Sequence, residues 1–278
     1  MSESTWQELH HDDLVNAKII SREITGHRVD VYVPNDVNAG TPVVVMHDGK
    51  NLFWPEHSTM GNTWGVIDVV QDLDIRPIVI GVWIADNPAV PSIRYFELAP
   101  QQVLEADPSL FGEMPVGEEV RDHALLGDAY HQMIAEEIIP EIVSLFDLDL
   151  EPENTALCGS SMGGLTSLYG AGLYPNVYGT ALSLSTHLAY WSPDIIEAVL
   201  GGLSTEPRTR IWIDRGTEEL DALYEGLHER AASYLESKGW VPGSQLQAKV
   251  YPGTNHSEPV WRDRLPEILS WWLQDSSH

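Results

Sequence analysis

The segment Thr155-Ala-Leu-Cys-Gly-Ser-Ser-Met-Gly-Gly-Leu-Thr-Ser-Leu-Tyr169 constrains this chain more than any other. It reads as a short apolar strand, a tight turn over Gly159-Ser160-Ser161-Met162-Gly163, then a helix. A Gly-x-Ser-x-Gly turn in that context is a nucleophile elbow. Residues without bulk at Gly159 and Gly163 let strand and helix approach closely. Ser161 then projects its hydroxyl above a sheet, at the start of a helix. Free N–H groups and the helix dipole there favour developing negative charge. Such a serine attacks a carbonyl carbon, which implies a hydrolase or an acyltransferase.

The flanking pattern supplies the sheet. Ala17 to Glu23 and Arg28 to Val33 read as an antiparallel pair joined at Thr25-Gly26. Pro42 to Met46, Pro77 to Trp83, Gly179 to Leu184, Arg208 to Asp214 and Leu246 to Tyr251 read as further strands. Helical periodicity covers Trp64 to Leu73, Asp128 to Phe146 with a bend near Pro140, Pro193 to Leu200, Glu218 to Lys238, and Ser257 onwards. This alternation predicts an α/β fold with a mostly parallel central sheet flanked by helices. A chain of 278 residues with 43% hydrophobic content fills one such domain, 1–278, with a sizeable core. The stretch 86–126 carries five prolines among acidic residues. It is expected to be an irregular loop or lid inserted over the sheet.

The charge narrows the partners. Asp and Glu total 42 against 15 for Lys and Arg, a formal net charge of -27. Only Lys18, Lys50, Lys238 and Lys249 are lysines. Nucleic acid and anionic membranes need clustered basic residues, so neither is an expected partner. Self-repulsion at this charge is relieved by salt, which suits a halotolerant protein or an ordinary acidic bacterial enzyme. The N-terminal residues lack a basic region and an apolar stretch, and no run approaches a membrane span. A cytoplasmic protein, monomeric or homodimeric, is expected. Cys158, the single cysteine, ends the elbow strand and is expected to pack rather than react.

A serine hydroxyl needs a base, and the base needs an orienting acid. Among histidines after the elbow, only His187 and His256 follow a strand. His256 lies between the last strand and the last helix, at the carboxyl edge of the sheet where Ser161 stands. It is the expected general base and acid. Four carboxylates crowd the end of the preceding strand: Asp214, Glu218, Glu219 and Asp221. Spacing alone does not choose among them. For the oxyanion, one amide comes from the residue after the nucleophile, Met162. The second is expected from the loop His47-Asp-Gly-Lys-Asn51, at Lys50, with Asn51 beside it. Asn51, Trp64 and His187 are expected to line the substrate site. Trp54, Trp83 and Trp191 could add aromatic surface, although packing explains most such residues.

With these pieces placed, the chain resembles the esterase D-like (enterochelin-esterase-like) family of α/β hydrolases. The matching segments are Met46-His-Asp-Gly-Lys-Asn-Leu-Phe53, Trp64-Gly65, Arg94-Tyr-Phe-Glu-Leu-Ala-Pro100, Gly127-Asp-Ala-Tyr130, Glu136-Glu-Ile-Ile-Pro140, Asn154 to Tyr169, Asp214-Arg-Gly-Thr217 and Gly253-Thr-Asn-His256. The resemblance implies an α/β-hydrolase fold. It also implies an oxyanion amide in the Asp-Gly-x loop, which supports Lys50. The family's acid often precedes a Leu-Tyr pair, which favours Asp221 before Ala222-Leu223-Tyr224, with Glu219 second. The chain departs from commoner members by two extra residues between Gly-Thr and that acid.

Family members include carboxylesterases, feruloyl esterases, siderophore esterases and mycolyl transferases, so a shared fold names no substrate. The expectation is a cofactor-free, metal-free serine carboxylesterase acting on a small neutral short-chain or aromatic ester. The charge of -27 disfavours triply charged ferric siderophores. Acyl transfer by the same residues is the alternative enzyme. A binding protein on a hydrolase scaffold is the alternative without catalysis.

Overall fold

The computed structural model describes residues 5–86, 90, 93–112 and 124–274. Its centre is a nine-stranded sheet ordered β1-β2-β3-β5-β4-β6-β7-β8-β9. These strands are β1 Gln7–Leu9, β2 Ala17–Ile24, β3 His27–Pro34, β4 Val43–Met46, β5 Ile78–Val82, β6 Thr155–Ser160, β7 Thr180–Leu184, β8 Arg210–Arg215 and β9 Leu246–Val250. The pairs β1–β2, β2–β3 and β3–β5 are antiparallel. Every other pair is parallel.

The parallel strands read as near-continuous apolar runs because both faces are covered. In β4, Val43 and Val45 pack with the cluster around the elbow helix, Met162–Leu173. Val44 and Met46 face the opposite cluster, which holds Trp261, Leu265 and Ile268 of the closing helix, Glu258–Leu273. Alternation along one strand therefore sorts two hydrophobic layers, one on each side of the sheet. The elbow helix buries all but its C-terminal residues, as an element covered on every side must.

Three departures from the sequence reading are instructive. Strand β1 was not expected from its polar composition. The helix read over Glu218–Lys238 is two elements: a 3-10 turn, Glu219–Tyr224, and an α-helix, Leu227–Ser237. Gly226 at φ 79° resets the chain between them. The helix read over Asp128–Phe146 contains a wider π turn at Ile134–Ile138 immediately before Pro140. Proline has no N–H for the preceding turn, and the ladder widens where that bond is missing.

Within 86–126, the described residues form short helical pieces, Ile93–Glu97, Gln101–Ala106 and Pro108–Phe111. The rest of the lid expectation, residues 87–89, 91–92 and 113–123, lies outside the described residues.

Candidate active site

Parallel pairing aligns the ends of five strands. Met46 pairs with Cys158, Ser160 with Leu184, and Arg215 with Val250. The loops that follow these strands consequently emerge at one edge. They carry His47–Asn51, Ser161, Ser185–His187, Gly216–Tyr224 and Tyr251–His256.

Ser161 adopts φ 57° and ψ -124°, a region costly for any residue with a side chain. The turn is over-determined. The Ser161 N–H donates to the Leu184 carbonyl at 2.9 Å, and its carbonyl accepts from Gly164, Leu165 and His187. A Cβ on Gly159 would lie 2.6 Å from the Gly163 backbone, so Gly159 is what permits the closeness. A Cβ on Gly163 would meet its nearest neighbour, His47, at 3.4 Å, an ordinary contact. The two glycines expected to act alike therefore differ.

His256 Nδ1 shares a 2.6 Å hydrogen bond with Asp221 Oδ1. The other carboxylate oxygen accepts from the Ser185 hydroxyl and from the Gly216 amide, each at 2.6 Å. Burial alone would raise the pKa of Asp221; bonds from His256, Ser185 and Gly216 outweigh it and hold the carboxyl below its ordinary value. Glu219 is solvent-facing at φ 54° and reaches Asn255 at 3.4 Å. Asp214, still within β8, is buried. It accepts from Arg264 at 2.7 Å, the Ser185 amide at 2.9 Å and the Trp212 indole at 2.9 Å. Burial raises its pKa despite the nearby Arg264.

The loop after β4 holds Asp48 at φ 55°, followed by a 3-10 turn over Gly49–Asn51. Arg94 clamps the Asp48 carboxylate through two bonds, at 2.6 and 2.7 Å. A Cβ on Gly49 would strike Gly81 at 2.6 Å, so this loop also needs its glycine. The Lys50 side chain is exposed. Met162 opens the elbow helix, where the first amides have no intrahelical acceptor.

The three residues expected to line the site are placed differently from one another. Asn51 is buried, and its side-chain oxygen accepts from the Thr59 amide and hydroxyl. Trp64 is buried against Trp261, ring centroids 5.6 Å apart, and Trp261 in turn packs edge-on to His256. His187 is beside Ser161: its backbone N–H donates to the Ser161 carbonyl, and its Nδ1 lies 3.1 Å from the Tyr224 hydroxyl. Burial, with His256 and Arg94 nearby, pushes the His187 pKa down to about 3, so the ring is neutral at working pH.

Tyr224 was not foreseen. It is buried, its phenol interacts with the Ser161 side chain, and burial keeps that phenol protonated. The spacing carried a signal, since residues three apart share a face in either helix type. In a 3-10 turn residues i and i+3 share a face, and Asp221 and Tyr224 are three apart.

Trp54 and Trp83 both donate to Asp30. Trp191 packs beside Phe111. Cys158 is fully buried, and burial raises its thiol pKa far above the usual range, so it packs as a thiol. Among the described residues no three His, Cys, Asp or Glu side chains form a metal-binding group, and no helix is long and apolar enough to cross a membrane.

Comparison with known proteins agrees with this fold. The model of the family described as "Esterase: Putative esterase" matches residues 117–272. YbbA of Bacillus subtilis, an uncharacterized protein, is 21% identical over 253 residues, covering 88% of this chain and 91% of that protein. The iron(III) enterobactin esterase of Dickeya dadantii is 24% identical over 165 residues, covering 52% of this chain and 35% of that protein. The enterochelin esterase structure from Shigella flexneri superposes with a TM-score of 0.63 at 19% identity, covering 95% of this chain and 60% of that one. The chain thus spans 35% and 60% of the lengths of these two enterobactin-type and enterochelin-type esterases.

Proposed function

Because this chain belongs to the esterase family of α/β hydrolases, we propose that it is a serine carboxylesterase hydrolysing short-chain or aromatic carboxylic esters through an acyl-enzyme on Ser161. One contact supports this above all: the 2.6 Å bond from Asp221 to His256, made at the same sheet edge as the strained elbow. An acid that fixes Nδ1 leaves Nε2 as the imidazole's working nitrogen.

Ser161 Oγ attacks the ester carbonyl as His256 Nε2 takes its proton. The Lys50 and Met162 amides stabilise the oxyanion, and Asp221 stabilises the imidazolium. The tetrahedral intermediate collapses, and the alcohol leaves with the proton from His256. Water, deprotonated by the same nitrogen, attacks the acyl-enzyme, and the carboxylic acid departs with Ser161 reprotonated. No step requires a cofactor. The described part of 86–126 lies against this edge: Arg94 bonds Asp48, and Leu110 accepts from the Ser192 amide. We place this segment across the mouth of the site. The surplus of acidic residues favours neutral esters over anionic ones.

A fluorophosphonate probe and a short aryl ester test the reading together. The probe labels wild type at Ser161, and Ser161→Ala loses labelling and on the order of 10^4 to 10^6 in kcat with its fold intact. Comparable turnover by Ser161→Ala would refute it.

A further inference from the structure

We propose that Ser185, Arg264 and Asp214 form a positioning relay behind Asp221 that sets the proton affinity of His256. This inference rests on the esterase reading above.

Donor and acceptor counting fixes the relay's direction. Ser185 Oγ lies 3.0 Å from Trp261 Nε1, 3.1 Å from Arg264 Nη1 and 2.6 Å from Asp221 Oδ2. Indole and guanidinium nitrogens can only donate. They occupy both lone pairs of the hydroxyl, so its single proton has one destination, the Asp221 carboxylate. A polarised, directionally locked hydroxyl thus holds the oxygen of Asp221 that His256 does not use. Ser185 reaches this place at φ 42°, a strained conformation for serine.

Charge counting gives the relay a second role. Arg264 is 3% exposed. It pairs with Asp214 at 2.7 Å, bonds Thr254 at 2.7 Å, and its Nη2 stands 3.9 Å from Asp221. Asp214 meets donors only. Two buried carboxylates and one guanidinium leave one net negative charge while His256 is neutral. The set becomes neutral when His256 takes the proton of Ser161. Burial without compensation is expensive for charge, so the arrangement favours the protonated imidazole when it forms.

His256 also faces Tyr224, His187 and, through Asn255, Glu219; Glu258 opens its own helix. None of these changes in the variants below, and His187 titrates far below the range examined.

The test is the pH dependence of kcat/KM for a short aryl ester. Activity requires neutral His256, so the rate rises with pH along an acid limb. Asp214→Asn leaves the charge of Arg264 uncompensated beside Asp221. It disfavours the imidazolium, and the acid limb moves to lower pH by about one unit. Ser185→Gly removes the donor to Asp221, at a backbone conformation glycine accepts. Asp221 becomes more basic, the imidazolium is favoured, and the limb moves to higher pH. A purely structural cluster would lower thermal stability without displacing the limbs in opposite senses. Limbs that coincide with wild type, or move the same way, overturn the relay while Ser161-dependent turnover persists. Asp214→Asn sets an amide NH2 against the Trp212 indole N–H. Should it not fold, an unmoved limb in Ser185→Gly overturns the relay alone. Turnover surviving Ser161→Ala would instead overturn the esterase reading, and the relay with it.

Discussion

Asp221 and Glu219 stand two residues apart in one short turn, yet their surroundings differ completely. Asp221 is fully buried with three hydrogen bonds, and Glu219 faces solvent with one long bond. Removing the charge of a buried acid behind the base costs on the order of 10^4 in kcat. Asp221→Asn is therefore expected to lose activity on that scale, whereas Glu219→Gln stays within about twofold of wild type. Steady-state kinetics on one aryl ester checks both. A large loss in Glu219→Gln with Asp221→Asn spared would reverse the assignment. At this scale the sequence was informative about chemistry and weak about geometry. Ser161 is readable because it occupies a turn directly after an apolar strand, and His256 because it lies in the loop between the last strand and the last helix. Asp221 is favoured by the family resemblance alone, since four carboxylates share its neighbourhood and their spacing does not separate the buried one. Asn51 and Trp64 carry suitable chemistry but are engaged with Thr59 and Trp261. Trp261 is distant from Trp64 in the chain, whereas Thr59 is eight residues from Asn51 and bonds it across an irregular turn.

The elbow shows the same division between elements. Gly159→Ala would force a Cβ into the Gly163 backbone at 2.6 Å, and the variant is expected to be insoluble or to lose several degrees in thermal midpoint. Gly163→Ala meets only ordinary contacts and is expected to fold. Thermal unfolding of the pair distinguishes a tight turn from a general need for small residues.

A second element-level test concerns His27 of β3, which bonds Glu97 at 2.9 Å and ties the short helix Ile93–Glu97 to the sheet. Burial lowers the pKa of His27, but the bond and charge of Glu97 outweigh it and raise it overall. A raised folded pKa contributes stability fully below the unfolded value of about 6.5, lost as pH rises through the folded one. Urea unfolding should show the difference between wild type and Glu97→Gln shrinking from mildly acidic to alkaline pH. A difference that grows with pH would contradict this.

The main strands and most helices were legible because parallel strands and amphipathic helices have distinct apolar periods. The divided helix over 218–238 was not. Its residues favour a helix on both sides of Gly226, and the positive φ of that glycine divides it.

At the scale of the whole molecule, a charge of -27 sets a repulsion that no single pair relieves. The Debye length falls from about 10 Å at 0.1 M salt to about 3 Å at 1 M. The thermal midpoint is expected to rise by several degrees over that interval in sodium chloride. An unchanged or falling midpoint would show that the acidic surface is locally compensated.

The proposed reaction passes through a covalent intermediate at one oxygen, that of Ser161. Rapid acid quench of the enzyme with a short aryl ester, followed by intact and peptide mass analysis, observes it directly. One acyl group on the peptide containing Ser161, absent in Ser161→Ala, is the predicted result. Turnover without any acylated peptide, or acylation elsewhere that persists in Ser161→Ala, would contradict it.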